Sequence, residues 1–70
     1  MSDRLRIYNH MAYIGPITPK IAMDEYGCYR LSARIHELRR AGEDIITDMI
    51  EDVDRHGEPC RYAQYSLRKE

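Results

Sequence analysis

The sequence predicts a small, mainly α domain: three helices closed by a two-stranded β-hairpin. Three observations carry that expectation. Leu31, Ile35 and Leu38 recur at i, i+4 and i+7, one face of an α-helix, and Cys28 continues the stripe a turn further back. Glycines punctuate this segment on both sides, Gly27 before it and Gly42 after it. From residue 45 the period drops to two, with Ile45, Thr47 and Met49 alternating with Ile46, Asp48 and Ile50, as in a strand.

The first helix is expected at about 3–14. Ser2 can cap it, Asp3 sits in the turn that favours an acid, and Gly15-Pro16 stops it. Leu5, Tyr8 and Ala12, with Ile7, Met11 and Ile14, give it a broad apolar face. Thr18 reads as the N-cap of a second, short helix at about 19–25, and Pro19 fills the first helical position, where its missing N–H costs nothing. Ile21, Ala22 and Tyr26 are its inward residues, and Ile17 just before it can pair as a very short strand with the hairpin. Gly27 supplies the turn into the third helix, 28–41. Gly42 stands at its C′ position, with Arg39 and Arg40 in the last turn, where cations suit the helix dipole. Strands follow near 45–51 and 60–67, joined by Asp54-Arg55-His56-Gly57-Glu58-Pro59, a dense run of turn residues. Both faces of the first strand carry isoleucine, so its pattern does not choose an inward face. Short helix, glycine turn, longer helix and hairpin together make a winged helix-turn-helix, a single domain over 1–70.

At 70 residues, 43% hydrophobic and 33% charged, the composition is that of one small folded domain. No apolar run approaches the ~18–20 residues of a membrane span, and the N-terminus lacks the apolar core of a secretory signal, so a cytoplasmic protein is expected. Cys28 and Cys60 read as thiols of the packed interior; with His36 and His56 their spacing matches no metal motif, and no metal or cofactor is expected. There is no phosphate loop, no Gly-x-Ser-x-Gly and no plausible Cys–His pair, so an enzyme is not expected.

Net charge is −1, but its distribution is uneven. Residues 28–42 are net +3 and residues 43–58 net −6. At about 100° per residue, the side of the third helix opposite its stripe carries Tyr29, Ala33, His36, Glu37 and Arg40, with Arg30 on its shoulder. In a helix-turn-helix, the start of the second helix of the pair enters the major groove. Arg30 is then placed to bond a guanine, Ser32 or His36 to reach bases or phosphates, and Tyr29 to meet a thymine methyl or a phosphate. Ala33 and Arg40 share that surface, and Lys20 is a candidate phosphate contact beside a helix N-terminus. The plain alternative is that these residues form a solvated helix face. Arg34 lies nearer the stripe, and a structural ion pair to Asp24 or Glu25 is the expectation; Arg39 flanks the stripe on its other side with a similar role.

The run Gly27-Cys28-Tyr29-Arg30-Leu31-Ser32-Ala33-Arg34-Ile35-His36-Glu37-Leu38-Arg39, then Gly42, Ile45 and Thr47, and the closing Arg61-Tyr62-Ala63-Gln64-Tyr65-Ser66-Leu67, resemble the small winged helix-turn-helix domains encoded by double-stranded DNA phages and prophages. The resemblance runs from about Ile14 to Leu67. It implies a DNA-binding or regulatory role in phage biology. One departure is the acidic wing, with Ile46 and Ile50 where polar residues are expected, which weakens the case for contact between wing and DNA.

Two functions follow. The leading one is a sequence-specific binder of double-stranded DNA, a transcriptional regulator or an excisionase-like recombination factor, acting as a homodimer or cooperatively in the cytoplasm of a bacterial host. The alternative is a protein-binding module or inhibitor that sets Asp44, Asp48, Glu51, Asp52, Asp54 and Glu58 against a basic host complex. The bland reading of those acids is a solvated hairpin that protects its own edge. Ile46 and Ile50, if Thr47 and Met49 pack inward, would leave an apolar strip for a partner or a second copy.

Overall fold

The computed structural model describes residues 3–68, so the Ser2 cap lies outside the described residues, as does Lys69. The chain runs α1 (Asp3–Asn9), a π-helical segment (His10–Ile14), α2 (Pro19–Tyr26), α3 (Leu31–Arg40), β1 (Ile45–Val53) and β2 (Pro59–Leu67). Three helical units and an antiparallel hairpin are the predicted winged helix-turn-helix order.

The first helical unit occupies the expected residues but changes pitch. Gly15 donates its N–H to the His10 carbonyl, 2.9 Å, an i→i−5 bond that widens the last turn. Ile7, His10 and Met11, at the i, i+3 and i+4 spacing of one helix face, are all buried, whereas Leu5 and Ile14 are not part of the core and Ile14 is 73% exposed. The buried His10 is satisfied across the interface: its Nδ1 lies 2.7 Å from the Tyr26 hydroxyl, with the rings edge to face. That bond joins the first unit to the end of α2.

α2 begins as expected. The Thr18 hydroxyl accepts from the Ile21 N–H at 3.2 Å and Pro19 opens the helix. Ala22 is buried, and Ile21 and Tyr26 pack half-buried against the core. Gly27 ends it at φ 63°, a left-handed conformation open to glycine, with its N–H on the Met23 carbonyl. The Cys28 N–H turns back to the Ala22 carbonyl, 3.0 Å, which holds Cys28 in the turn with its thiol buried.

α3 therefore starts three residues later than the apolar stripe suggests. Arg30 sits at φ −125°, ψ 58°, outside the helical region, so Tyr29 and Arg30 belong to the turn and Leu31 is the first helical residue. Cys28 is inward without being helical. At the other end the prediction holds: Gly42 donates to the Arg39 carbonyl and Glu43 to the Leu38 carbonyl, the paired bonds of a glycine-terminated helix. Leu31, Ile35 and Leu38 are buried and form the centre of the core with Ile7, Met11, Ile17 and Ile45.

β1 and β2 are each longer than expected and pair from Ile45↔Leu67 to Val53↔Pro59. Ile17 does form the short third strand: it exchanges both backbone bonds with Tyr65 at 2.8 Å. Only the root of the hairpin packs on the helices, through Ile45, Tyr65 and Leu67. Beyond it, Thr47 and Met49 are exposed, and Ile46 and Ile50 are half-buried, Ile50 opposite Tyr62. The condition for an open Ile46–Ile50 strip, an inward-packed Thr47 and Met49, is not met; the exposed apolar residues of β1 are Met49 and Val53.

Candidate nucleic-acid interface

α3 buries Leu31, Ile35 and Leu38, and this fixes what it presents outward. Ser32, His36 and Arg40 recur at i, i+4 and i+8 and are all exposed, so they form one stripe along the free side of the helix. Ala33 lies beside that stripe, half-buried. The sole acid of α3, Glu37, is bonded by the Arg34 guanidinium at 2.9 Å. Arg34 thus pairs within its own helix and not with Asp24 or Glu25: three residues along a helix is the shorter reach. That pair offsets the one negative charge of α3 against one of its arginines.

Among the described residues Arg39 makes no ion pair. Its guanidinium donates to the Ile45 carbonyl at 2.8 Å and to the Thr47 hydroxyl at 2.7 Å, clasping the end of α3 to the start of β1. Both acceptors are neutral, so the positive charge stays uncompensated while the side chain does a structural job. Arg39→Ala is expected to cost about 0.5–1.5 kcal/mol of stability, the worth of an ordinary hydrogen bond. Faster amide exchange in the first residues of β1 is the accompanying local sign, and unchanged exchange there would count against the clasp.

The remaining candidates gather around a second feature. The start of α2, the α2–α3 turn and the hairpin tip enclose an open cleft of about 770 Å³. Lys20 and Met23 line it from α2, Tyr29 from the turn, and Asp52, Val53, Asp54, Arg55 and Tyr62 from the hairpin. Tyr29 is 83% exposed there. Arg30 precedes the first residue of α3, is exposed, and does not line the cleft. The structure therefore divides the predicted set in two, with Ser32, His36 and Arg40 along α3 and Lys20 and Tyr29 on the cleft. Arg55 is the residue the sequence reading leaves out. Its signal was its place in the turn run, masked by the acids around it.

The acidic residues of the hairpin are mostly engaged. Asp44 pairs with Arg68 at 2.8 Å and Glu51 with its cross-strand neighbour Arg61 at 3.7 Å. The Asp54 carboxylate accepts from the N–H groups of His56 and Glu58 at 2.8 and 3.0 Å and so builds the tip turn. Asp52 accepts from the Val53 N–H at 2.8 Å. Asp48 and Glu58 are exposed, with their carboxylates bonded to no group among the described residues. The six acids do not converge on one free anionic surface.

A basic helix face freed of its only acid, reached through a tight turn and flanked by a hairpin, defines the class of winged DNA-binding domains, and the fold suggests DNA as the partner. A family model described as a winged helix-turn-helix domain matches residues 3–70, and the chain belongs to that family. No curated protein and no solved structure matches it. Among the described residues no helix is long and apolar enough to cross a membrane, and no cluster of three or more metal-binding side chains forms.

Proposed function

We propose that this protein is a small sequence-specific DNA-binding protein of phage type, a transcriptional regulator or an excision factor, that lays α3 in the major groove. It acts without catalysis, in the cytoplasm of a bacterial host. The observation that carries the reading is the Ser32–His36–Arg40 stripe, whose one neighbouring acid is held by Arg34. Arg30, at the N-terminal end of the helix, reads a base; Lys20 and Arg40 hold phosphates. A few contacts of this kind bind weakly, so two copies on adjacent sites supply the affinity.

The acidic-surface alternative loses its main support, because Asp44, Glu51 and Asp54 already serve the hairpin itself. The test is selection from a random duplex pool followed by fluorescence anisotropy at two salt concentrations. Four phosphate contacts predict a loss of about 10²-fold in affinity between about 50 and 200 mM salt. An intact fold with no binding at low salt ends the DNA reading.

A further inference from the structure

Among the described residues β1 has one edge without a strand partner, and the register says which groups lie on it. Tyr65 exchanges both its backbone bonds with Ile17, so its N–H and C=O point away from β1. Its cross-strand neighbour Thr47 is then a non-hydrogen-bonded position, and by alternation so are Ile45, Met49, Glu51 and Val53. Their backbone groups all point outward from the sheet. Three independent details agree. The Ile45 carbonyl is free to take Arg39, the Val53 N–H is free to take the Asp52 side chain, and Pro59 opposite Val53 sits where its missing N–H breaks no ladder bond.

Those details also bound the open part of the edge. Arg39 closes one end at Ile45, and Asp52 closes the other at the Val53 N–H. Between them Thr47, Met49 and Glu51 hold outward donors and acceptors, and all three residues are exposed. No other helix or strand packs extensively along β1. The window fits a short extended segment.

The charge decides what that segment is. Pairing a second copy antiparallel about Met49 would set Asp48 opposite the other copy's Ile50 and diagonal to its Asp48 and Asp52, gathering four carboxylates on one face of the joint, which disfavours that pairing. We infer that the open edge of β1 takes an extended, basic protein segment by strand addition, with cationic side chains over Asp48 and Asp52 and an aliphatic one over Ile50. Backbone bonds at Thr47, Met49 and Glu51 hold it, and the two acids select it. This contact does not use the Ser32–His36–Arg40 stripe, although Asp52 borders the cleft that Lys20 and Tyr29 also line.

The probe is a short lysine- and valine-rich peptide, with lysines placed opposite Asp48 and Asp52 and valine opposite Ile50. The control is the same peptide with alternate backbone amides N-methylated. The free protein is expected to exchange the amides of Thr47, Met49 and Glu51 quickly and those of Asp48 and Ile50 slowly. The peptide should protect the first group, and the N-methylated control should not bind. Asp48→Lys is expected to weaken binding by about tenfold, the scale of a lost charge-assisted contact. Met49→Pro removes one outward N–H and no ladder bond, and should weaken it as well. Equal binding of the N-methylated peptide would reduce the effect to charge alone and overturn the proposal. So would no binding at low salt, or sedimentation as a dimer whose Met49 and Glu51 amides are already protected without peptide. No arm contains DNA, so the two readings fail separately.

Discussion

Ile35→Ala is expected to lower the free energy of unfolding by about 2–5 kcal/mol. Ile35 is 1% exposed and sits midway along the buried stripe of α3, between Leu31 and Leu38. It belongs to the same cluster as Ile7 from α1, Ile17 before α2 and Ile45 from β1, so each part of the fold reaches the core it occupies. Removing its branched side chain leaves a cavity that four separate segments would have to close. A domain of this size holds only about 4–10 kcal/mol in total, so a large share of the stability, from about a fifth to all of it, is at stake. Urea unfolding should show a much lower midpoint with an unchanged slope. Tyr29→Ala, at an exposed turn position, is the control and should shift the midpoint by no more than about 0.5 kcal/mol equivalent. An Ile35→Ala shift equally small would mean that the helix does not bury this face.

The parts of this fold legible in the sequence are those set by local chemistry. Thr18-Pro19 at a helix start and Gly42 at a helix end each have a single strongly favoured use, and the structure uses them so. Ile17 was legible as a strand because an apolar residue directly before a capped helix has to be buried somewhere, and pairing with Tyr65 satisfies its backbone at the same time. The start of α3 was not legible. Cys28 falls in phase with Leu31 and Ile35, but a buried residue in a tight turn produces the same spacing as a helical one. The π-helical segment was hidden for a related reason: periodicity reports which residues are apolar, not the pitch that delivers a polar His10 to the Tyr26 hydroxyl. At the interface, the exposed stripe follows from the helix phase, whereas the work of Arg34 and Arg39 depends on neighbours. Arg39 looked like a half of an ion pair and instead holds β1, which no reading of α3 alone reveals.

The map of DNA contacts makes the sharpest functional prediction. Arg30 lies at the entry to α3, the part of a recognition helix nearest the bases, and makes no ion pair among the described residues. If it bonds a guanine edge, Arg30→Ala should cost about 1–3 kcal/mol on the preferred duplex and relax the choice of base at one position. Arg40 lies at the far end of the stripe and Lys20 on the first turn of α2, both placed for phosphates. Arg40→Ala and Lys20→Ala should weaken every duplex alike and lower the salt slope by about one per bound copy, about two each for a pair of copies. Glu37→Gln gives an opposite sign: it removes the acid paired with Arg34, leaves one more uncompensated cation beside the stripe, and should tighten binding at low salt. The same anisotropy titrations read all four variants, with helicity checked by circular dichroism. A flat response across Arg30, Arg40 and Lys20, in folded proteins that still bind, would move the DNA away from α3. The cleft between Lys20 and Arg55 would then be the surface to test.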